Sequence, residues 1–228
     1  MKRALCPACE RPEKVCLCQW LQQINNKFPI TVLRHKSEAG HALNTVNILK
    51  KSLRRILVVD GEIFDENIIP ENSFLIYPSE DAAPLENVNI PESAQLILLD
   101  GSWKKTRKIL YLNPWLLKLP KISLPLQNSR YYLRKQKDRG FSTLEAVYTA
   151  LSELDKQQNY KALLTCLDKM MEQQAHFIEP EILKDHFGER VAKISSDKNG
   201  NKAANLFGHN NPDDKLPRQR THRLQSQQ

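Results

Sequence analysis

Apolar, strand-like runs alternate with amphipathic helical stretches, which predicts an α/β fold: a mostly parallel sheet with helices on both faces. Three observations carry this expectation. FPITVLRH (28–35), RILVVDGE (55–62), FLIYPSEDA (74–82), QLILLDG (95–101) and KISLPL (121–126) are short apolar runs separated by helix-periodic segments. QLILLDG is continuously apolar, as a strand covered on both faces must be. With 228 residues and 40% hydrophobic content, the chain has material for one substantial core and small appendages.

Taken in order, residues 1–25 hold Cys6, Cys9, Cys16 and Cys18 in CPACERPEKVCLC. Four thiolates within 13 residues match a closed, tetrahedral four-cysteine zinc knuckle, too small to fold without its metal. No signal-peptide-length apolar stretch opens the chain, so a cytoplasmic, disulfide-free protein is expected. Residues 26–193 hold the α/β domain. HALNTVNILKKSLR (41–54) places Leu43, Val46, Leu49 and Leu53 at helical spacing. A helix from Trp103 to Leu112 stops before Asn113-Pro114. FSTLEAVYTALSELDKQ (141–157) opens with the capping box Ser142-Thr-Leu-Glu145. KALLTCLDKMMEQQAHFI (161–178) is amphipathic, with Cys166 on its apolar side. Residues 194–228 are polar, Asn- and Gln-rich and slightly basic, expected to be a mobile tail that serves as an auxiliary RNA arm. No apolar run approaches the roughly 18 residues that cross a bilayer.

Charge is distributed unevenly. The net charge is +8, yet residues 101–137 alone contain ten Lys or Arg and no Asp or Glu, leaving −2 for the rest. An unmixed run of this length favours phosphate contact over a solvated helix face, which normally mixes signs. Lys104, Lys105, Arg107, Lys108, Arg130, Arg134 and Lys135 belong to it, with Tyr131 and Tyr132 interleaved. No protein partner is evident.

Ligands of open α/β sheets gather beyond the carboxyl ends of strands. Asp100 stands at such an end, followed by Gly101, Ser102 and Trp103. Either this carboxylate is a site residue, or Asp100 or Ser102 is only the cap of the next helix. Trp103 is likewise either a stacking group or a core anchor. His35, Glu38, His41, Asn44 and Thr45 follow another strand.

The combination resembles the DTW-domain family, whose signature is Asp-x-Thr-Trp at a strand end, here Asp100-Gly101-Ser102-Trp103. The resemblance continues in Arg134-Lys135-Gln136, in Ser142 to Ala146, in a His-x-x-Glu before Asn44-Thr45, and in the knuckle with Pro12 and Cys16-Leu17-Cys18. It covers most of residues 6–150. Ser102 replaces the signature Thr but keeps its hydroxyl; Lys36 and Val46 stand where the family often has Pro and Gly.

The resemblance implies a SPOUT-like fold with a knotted cofactor segment. It also implies transfer of the 3-amino-3-carboxypropyl group from S-adenosylmethionine to N3 of a tRNA uridine, in the variable loop, with release of 5′-methylthioadenosine. Asp100 then removes or binds the N3 proton, or only shapes its loop. Tyr77, Pro78, Ser79, Gly101, Ser102, Trp103 and Leu124 line the adenosyl pocket, and Thr143, at the first turn of its helix, reaches the cofactor carboxylate through backbone amides. His35 and the basic window meet tRNA. The competing readings are a SPOUT-type RNA methyltransferase and a non-catalytic zinc-knuckle RNA-binding module.

Overall fold

The computed structural model describes residues 4–41, 43–125, 129 and 141–179. Among the described residues six strands form one sheet: β1 Ile30–His35, β2 Ile56–Gly61, β3 Ser73–Ile76, β4 Ala83–Pro84, β5 Gln95–Asp100 and β6 Lys121–Ser123. Their order is β2-β1-β5-β3-β6-β4, and every pairing is parallel. Parallelism has one consequence that matters for function. The C-terminal ends of all strands, and the loops that follow them, share one edge of the sheet.

The predicted α/β architecture is therefore present, with adjustments. β5 lies between β1 and β3 and is largely buried, as its continuous apolar sequence requires. The third run forms a strand only over Ser73–Ile76, and the two-residue β4 was not foreseen. A proline in β4 is tolerated because that strand lies at the sheet edge, where a missing N–H breaks no ladder.

Four α-helices are described: α1 Val46–Ser52, α2 Trp103–Leu112, α3 Thr143–Leu154 and α4 Lys161–Ala175. α1 begins five residues later than the helix expected from residue 41. Asn44 turns out of helical register, and its Oδ1 accepts from the Val46 N–H at 3.0 Å. α2 ends where expected, and Asn113 explains why. Its side chain accepts from the Phe64 N–H (2.7 Å) and donates to the carbonyls of Glu62 and Ile109 (2.7 Å each).

The helices take opposite faces. α1, α3 and α4 cover one side with a cluster that includes Val32, Leu49, Leu96, Leu98, Val147 and Leu167. α2 and the turn Pro114–Lys118 cover the other, around Leu33, Leu75, Ile97 and Ile109. Leu17 of the knuckle is fully buried in the first cluster, a contact that contributes roughly 2 kcal/mol. The cysteine segment thus shares the core of the sheet. Cys166 is also fully buried there, and burial pushes its thiol up to about 12, as a core cysteine should behave. The 194–228 tail lies outside the described residues.

Candidate active site

Asp100 is the last residue of β5 and is 93% buried. In the parallel register, Arg34 of β1 sits beside it, and Asp60 of β2 sits beside Arg34. Their side chains leave the sheet on the α1/α3/α4 face. Both carboxylate oxygens of Asp100 accept hydrogen bonds: Oδ1 from Thr143 Oγ1 at 2.5 Å and Oδ2 from Asn44 Nδ2 at 2.7 Å. Neither bond caps α2. The Ser102 side chain makes no cap bond either, so capping does not account for the Asp-Gly-Ser sequence.

The network extends further. Arg34 donates from Nε and Nη2 to the two oxygens of Asp60 (2.5 and 2.9 Å). Its Nη1 reaches Asn47 Oδ1 at 2.9 Å and Asn44 Oδ1 at 3.4 Å. Asn44 therefore joins the cation to the acid, its carbonyl oxygen toward Arg34 and its amide nitrogen toward Asp100. Burial raises the Asp100 carboxyl above the ordinary range, against the pull of the Thr143 and Asn44 donors. A carboxylate so disposed is a better proton acceptor than a solvated one.

Thr143 is delivered by α3, whose capping box is intact. Ser142 Oγ accepts from the Glu145 N–H (3.2 Å), and Glu145 Oε2 accepts from the Ser142 N–H (2.8 Å). With the Glu145 carboxylate at this helix start, the capping box occupies two of the amides that could bind a ligand carboxylate. The Thr143 hydroxyl is used on Asp100.

The other predicted pocket residues lie along the same strand-end edge. Trp103 is half exposed and meets Tyr77 edge to face, with centroids 6.2 Å apart at 71°. That contact joins the segment after β3 to the segment after β5. Pro78 and Ser79 follow Tyr77, and Ser79 Oγ donates to Asp81 Oδ1 at 2.7 Å. Leu124, just past β6, packs against the core on the α1/α3/α4 face. Gly101 is held in a tight spot: an added Cβ would lie 2.9 Å from Lys105 Cβ and 3.5 Å from His35 Cβ.

The remaining predictions divide. His35 is buried. Its Nδ1 accepts from the Ser37 N–H at 3.2 Å, which leaves the ring proton on Nε2, 2.9 Å from Glu62 Oε1. It ties the ends of β1 and β2 together. Lys105 pairs with Glu38 (2.6 Å) and Lys108 with Glu62 (3.0 Å), so acids distant in sequence fold back onto the basic helix. The Lys108 ammonium, with Lys36 beside it, holds Glu62 below the usual carboxylate range. Lys104 and Arg107 are exposed and make no ion pair among the described residues. Arg130, Arg134 and Lys135 lie outside the described residues. Arg34, Asp60, Glu38 and Glu62 were missed as partners. The available signal was a charged residue at the end of an otherwise apolar strand, where burial obliges it to find a counter-charge.

At the N-terminus the four cysteine sulfurs lie within 4.8 Å of one another, with Cys6–Cys18 at 3.5 Å and Cys9–Cys16 at 3.7 Å. Zn–S bonds of about 2.3 Å in a tetrahedron set sulfurs about 3.8 Å apart, so the cage fits such an ion. The thiols also affect one another's ionisation in a way a cation would relieve. Backbone amides of Cys9 and Ala8 draw Cys6 down to about 6, while the neighbouring thiols, Cys16 first, push Cys18 up to about 12. Four thiolates cannot coexist there without positive charge.

A parallel α/β sheet with a buried acid at its strand-end edge is the arrangement in which open-sheet proteins hold their ligands. The DTW domain model matches residues 3–175, and the chain belongs to the DTW-domain family. It is 30% identical over 205 residues to tRNA-uridine aminocarboxypropyltransferase 2 of Macaca fascicularis, covering 81% of this chain and 68% of that protein. The Mus musculus counterpart is 32% identical over 174 residues, covering 68% of this chain and 58% of that protein. tRNA-uridine aminocarboxypropyltransferase A of Arabidopsis thaliana is 25% identical over 233 residues, covering 82% and 88%. No solved structure matches the chain.

Proposed function

We propose that this protein is a tRNA-uridine aminocarboxypropyltransferase. It moves the 3-amino-3-carboxypropyl group of S-adenosylmethionine to N3 of a tRNA uridine, in the variable loop. The observation that carries this reading is the intact Asp100 corner, a raised carboxylate oriented by Asn44 and Thr143, in a chain whose relatives bear that activity in their names.

S-adenosylmethionine supplies an activated alkyl carbon on a sulfonium. Tyr77, Pro78, Ser79, Gly101, Ser102, Trp103 and Leu124 would hold it, on segments that the parallel sheet gathers at one edge. Asp100 accepts the N3 proton of uridine, N3 forms a bond to the γ-carbon, the carbon–sulfur bond breaks, and 5′-methylthioadenosine leaves with the electron pair. Asn44 and Thr143 keep the carboxylate aimed, and its burial keeps water from competing for the proton. The same acid offsets the sulfonium charge until transfer removes it.

The fold is read as SPOUT-like, with a knotted cofactor segment. What supports this is that the chain leaves β6 near the sheet edge, and then returns to the central Asp100 at Thr143. The cysteine cage is read as a structural zinc site, and the chain as cytoplasmic; among the described residues no helix is long and apolar enough to cross a membrane. Lys104 and Arg107 are read as tRNA backbone contacts.

Incubating the protein with unmodified tRNA and S-adenosylmethionine labelled separately in its aminocarboxypropyl chain and its methyl group tests the reaction. Chain label in tRNA, in 3-(3-amino-3-carboxypropyl)uridine, is the expected result. Methyl label instead would make the protein a methyltransferase, and label in neither would leave a binding module.

A further inference from the structure

A cleft of about 880 Å³ opens between the cysteine knuckle, the loop after β1, α1 and the end of α4. Its volume falls within the range of ligand sites, about 300–1,000 Å³. Five Lys or Arg side chains line it against two glutamates, and Glu10 is already held by Lys51 at 2.7 Å. Lys14 and Lys50 are exposed and form no ion pair among the described residues. Phe177 stands at the same cleft with 67% of its surface in water, an aromatic face that the core does not use. Basic side chains beside an exposed aromatic are the elements of a single-strand nucleic-acid site, phosphate contact plus base stacking. An acidic peptide would have no call on the aromatic.

The inner wall supplies the link to the chemistry. Arg34 lines the cleft, and its Nη1 reaches Asn44 Oδ1, whose amide donates to Asp100. The cleft is thus two hydrogen bonds from the reactive acid. We propose that it holds a single-stranded segment of the RNA substrate adjoining the target uridine. Lys14 and Lys50 contact its phosphates and Phe177 stacks on one of its bases. The knuckle is then part of the substrate site as well as a structural element. This rests on tRNA being the substrate.

The test uses the full-length, zinc-loaded protein. Binding of an unmodified tRNA transcript is followed by fluorescence anisotropy across a salt series, with steady-state transfer kinetics alongside. The Lys14→Glu/Lys50→Glu variant is expected to weaken binding about 10- to 100-fold and to reduce the salt slope by about two. Phe177→Ala should weaken it by roughly 5- to 100-fold with the salt slope unchanged. In both, zinc content stays with the parent's, and kcat/KM for tRNA falls in step with affinity. A Lys156→Glu/Lys161→Glu control, of the same net charge but away from the cleft, should bind nearly as the parent does. Unchanged affinity in the cleft variants, or an equal loss in the control, overturns the proposal. If the parent transfers no aminocarboxypropyl group yet the cleft variants lose affinity, the reaction assignment fails and the RNA site stands.

Discussion

Asp100, the proposed base, would set stability against the proposed reaction. Its carboxyl is raised by burial, so the proton-linked stability it contributes is fully present below the ordinary carboxylate range. That stability is lost as pH rises through the higher folded-state value, above which the ionised, buried group opposes folding. Asp100→Asn removes the charge while keeping the shape, and the Thr143 hydroxyl can turn to accept from the new amide. The expected outcome is a Tm gain that shrinks as pH falls toward the ordinary carboxylate range, with aminocarboxypropyl transfer reduced at least about 100-fold. A lower Tm with activity retained would show that the acid only shapes its loop. Glu10 is a second opposed residue. It adopts φ 61° after the first cysteine pair, a left-handed conformation that costs a non-glycine residue about 1 kcal/mol or more. Its pairing with Lys51 is exposed and worth little. Glu10→Gly should therefore stabilise the protein by about 0.5–1 kcal/mol in denaturant unfolding, with zinc content unchanged. Asp100 was legible because a carboxylate ending an apolar strand stands out in the sequence. Its partners were not, since Asn44 and Thr143 are 56 and 43 residues away and nothing in one sequence pairs them.

At the scale of elements, the start of α3 does two jobs. Its capping box stabilises the helix and also fixes the position of Thr143 against Asp100. Ser142→Ala is expected to cost about 1–2 kcal/mol, since the cap is buried. It should also lower kcat more than it raises KM for tRNA, because the Asp100 carboxylate loses its aim. Unfolding curves and steady-state kinetics on one preparation separate the two effects. This box was readable from Ser142-Thr-Leu-Glu145, as were the ends of α2 and the buried character of β5, because capping and periodicity are local rules. The start of α1 was not. Residues 41–45 keep apolar spacing, but Asn44 is drawn out of the helix by its bonds to Asp100 and Arg34, which are tertiary. The basic window also changed meaning. Read along the chain it contains no acid, yet Glu38, Glu62 and Asp81 come from other segments to pair with Lys105, Lys108 and Lys121.

At the scale of the whole molecule, the knuckle and the sheet are energetically joined. Leu17 lies in the main core, and Gln173 of α4 donates to the Cys16 carbonyl at 3.1 Å. Removing the metal with a strong chelator, or making Cys18→Ser, should abolish binding of about one zinc per chain, as measured by elemental analysis. It should also lower the Tm of the entire domain in one cooperative transition, because the loosened knuckle exposes Leu17. A separate low-temperature transition, with the main Tm unchanged, would show the knuckle to be independent. By itself the sequence determined what local chemistry can specify: strand and helix types, helix caps, the four-thiol cage and the acid at the end of β5. Tertiary structure alone decided what depends on distant segments meeting. These are the strand order, the Arg34–Asn44–Asp100–Thr143 chain of hydrogen bonds, the acids that answer the basic helix, and the cleft between knuckle and sheet. The division follows from range. Capping and periodicity act within about four residues, whereas a parallel sheet pairs strands through long crossovers and brings every strand end to a single edge.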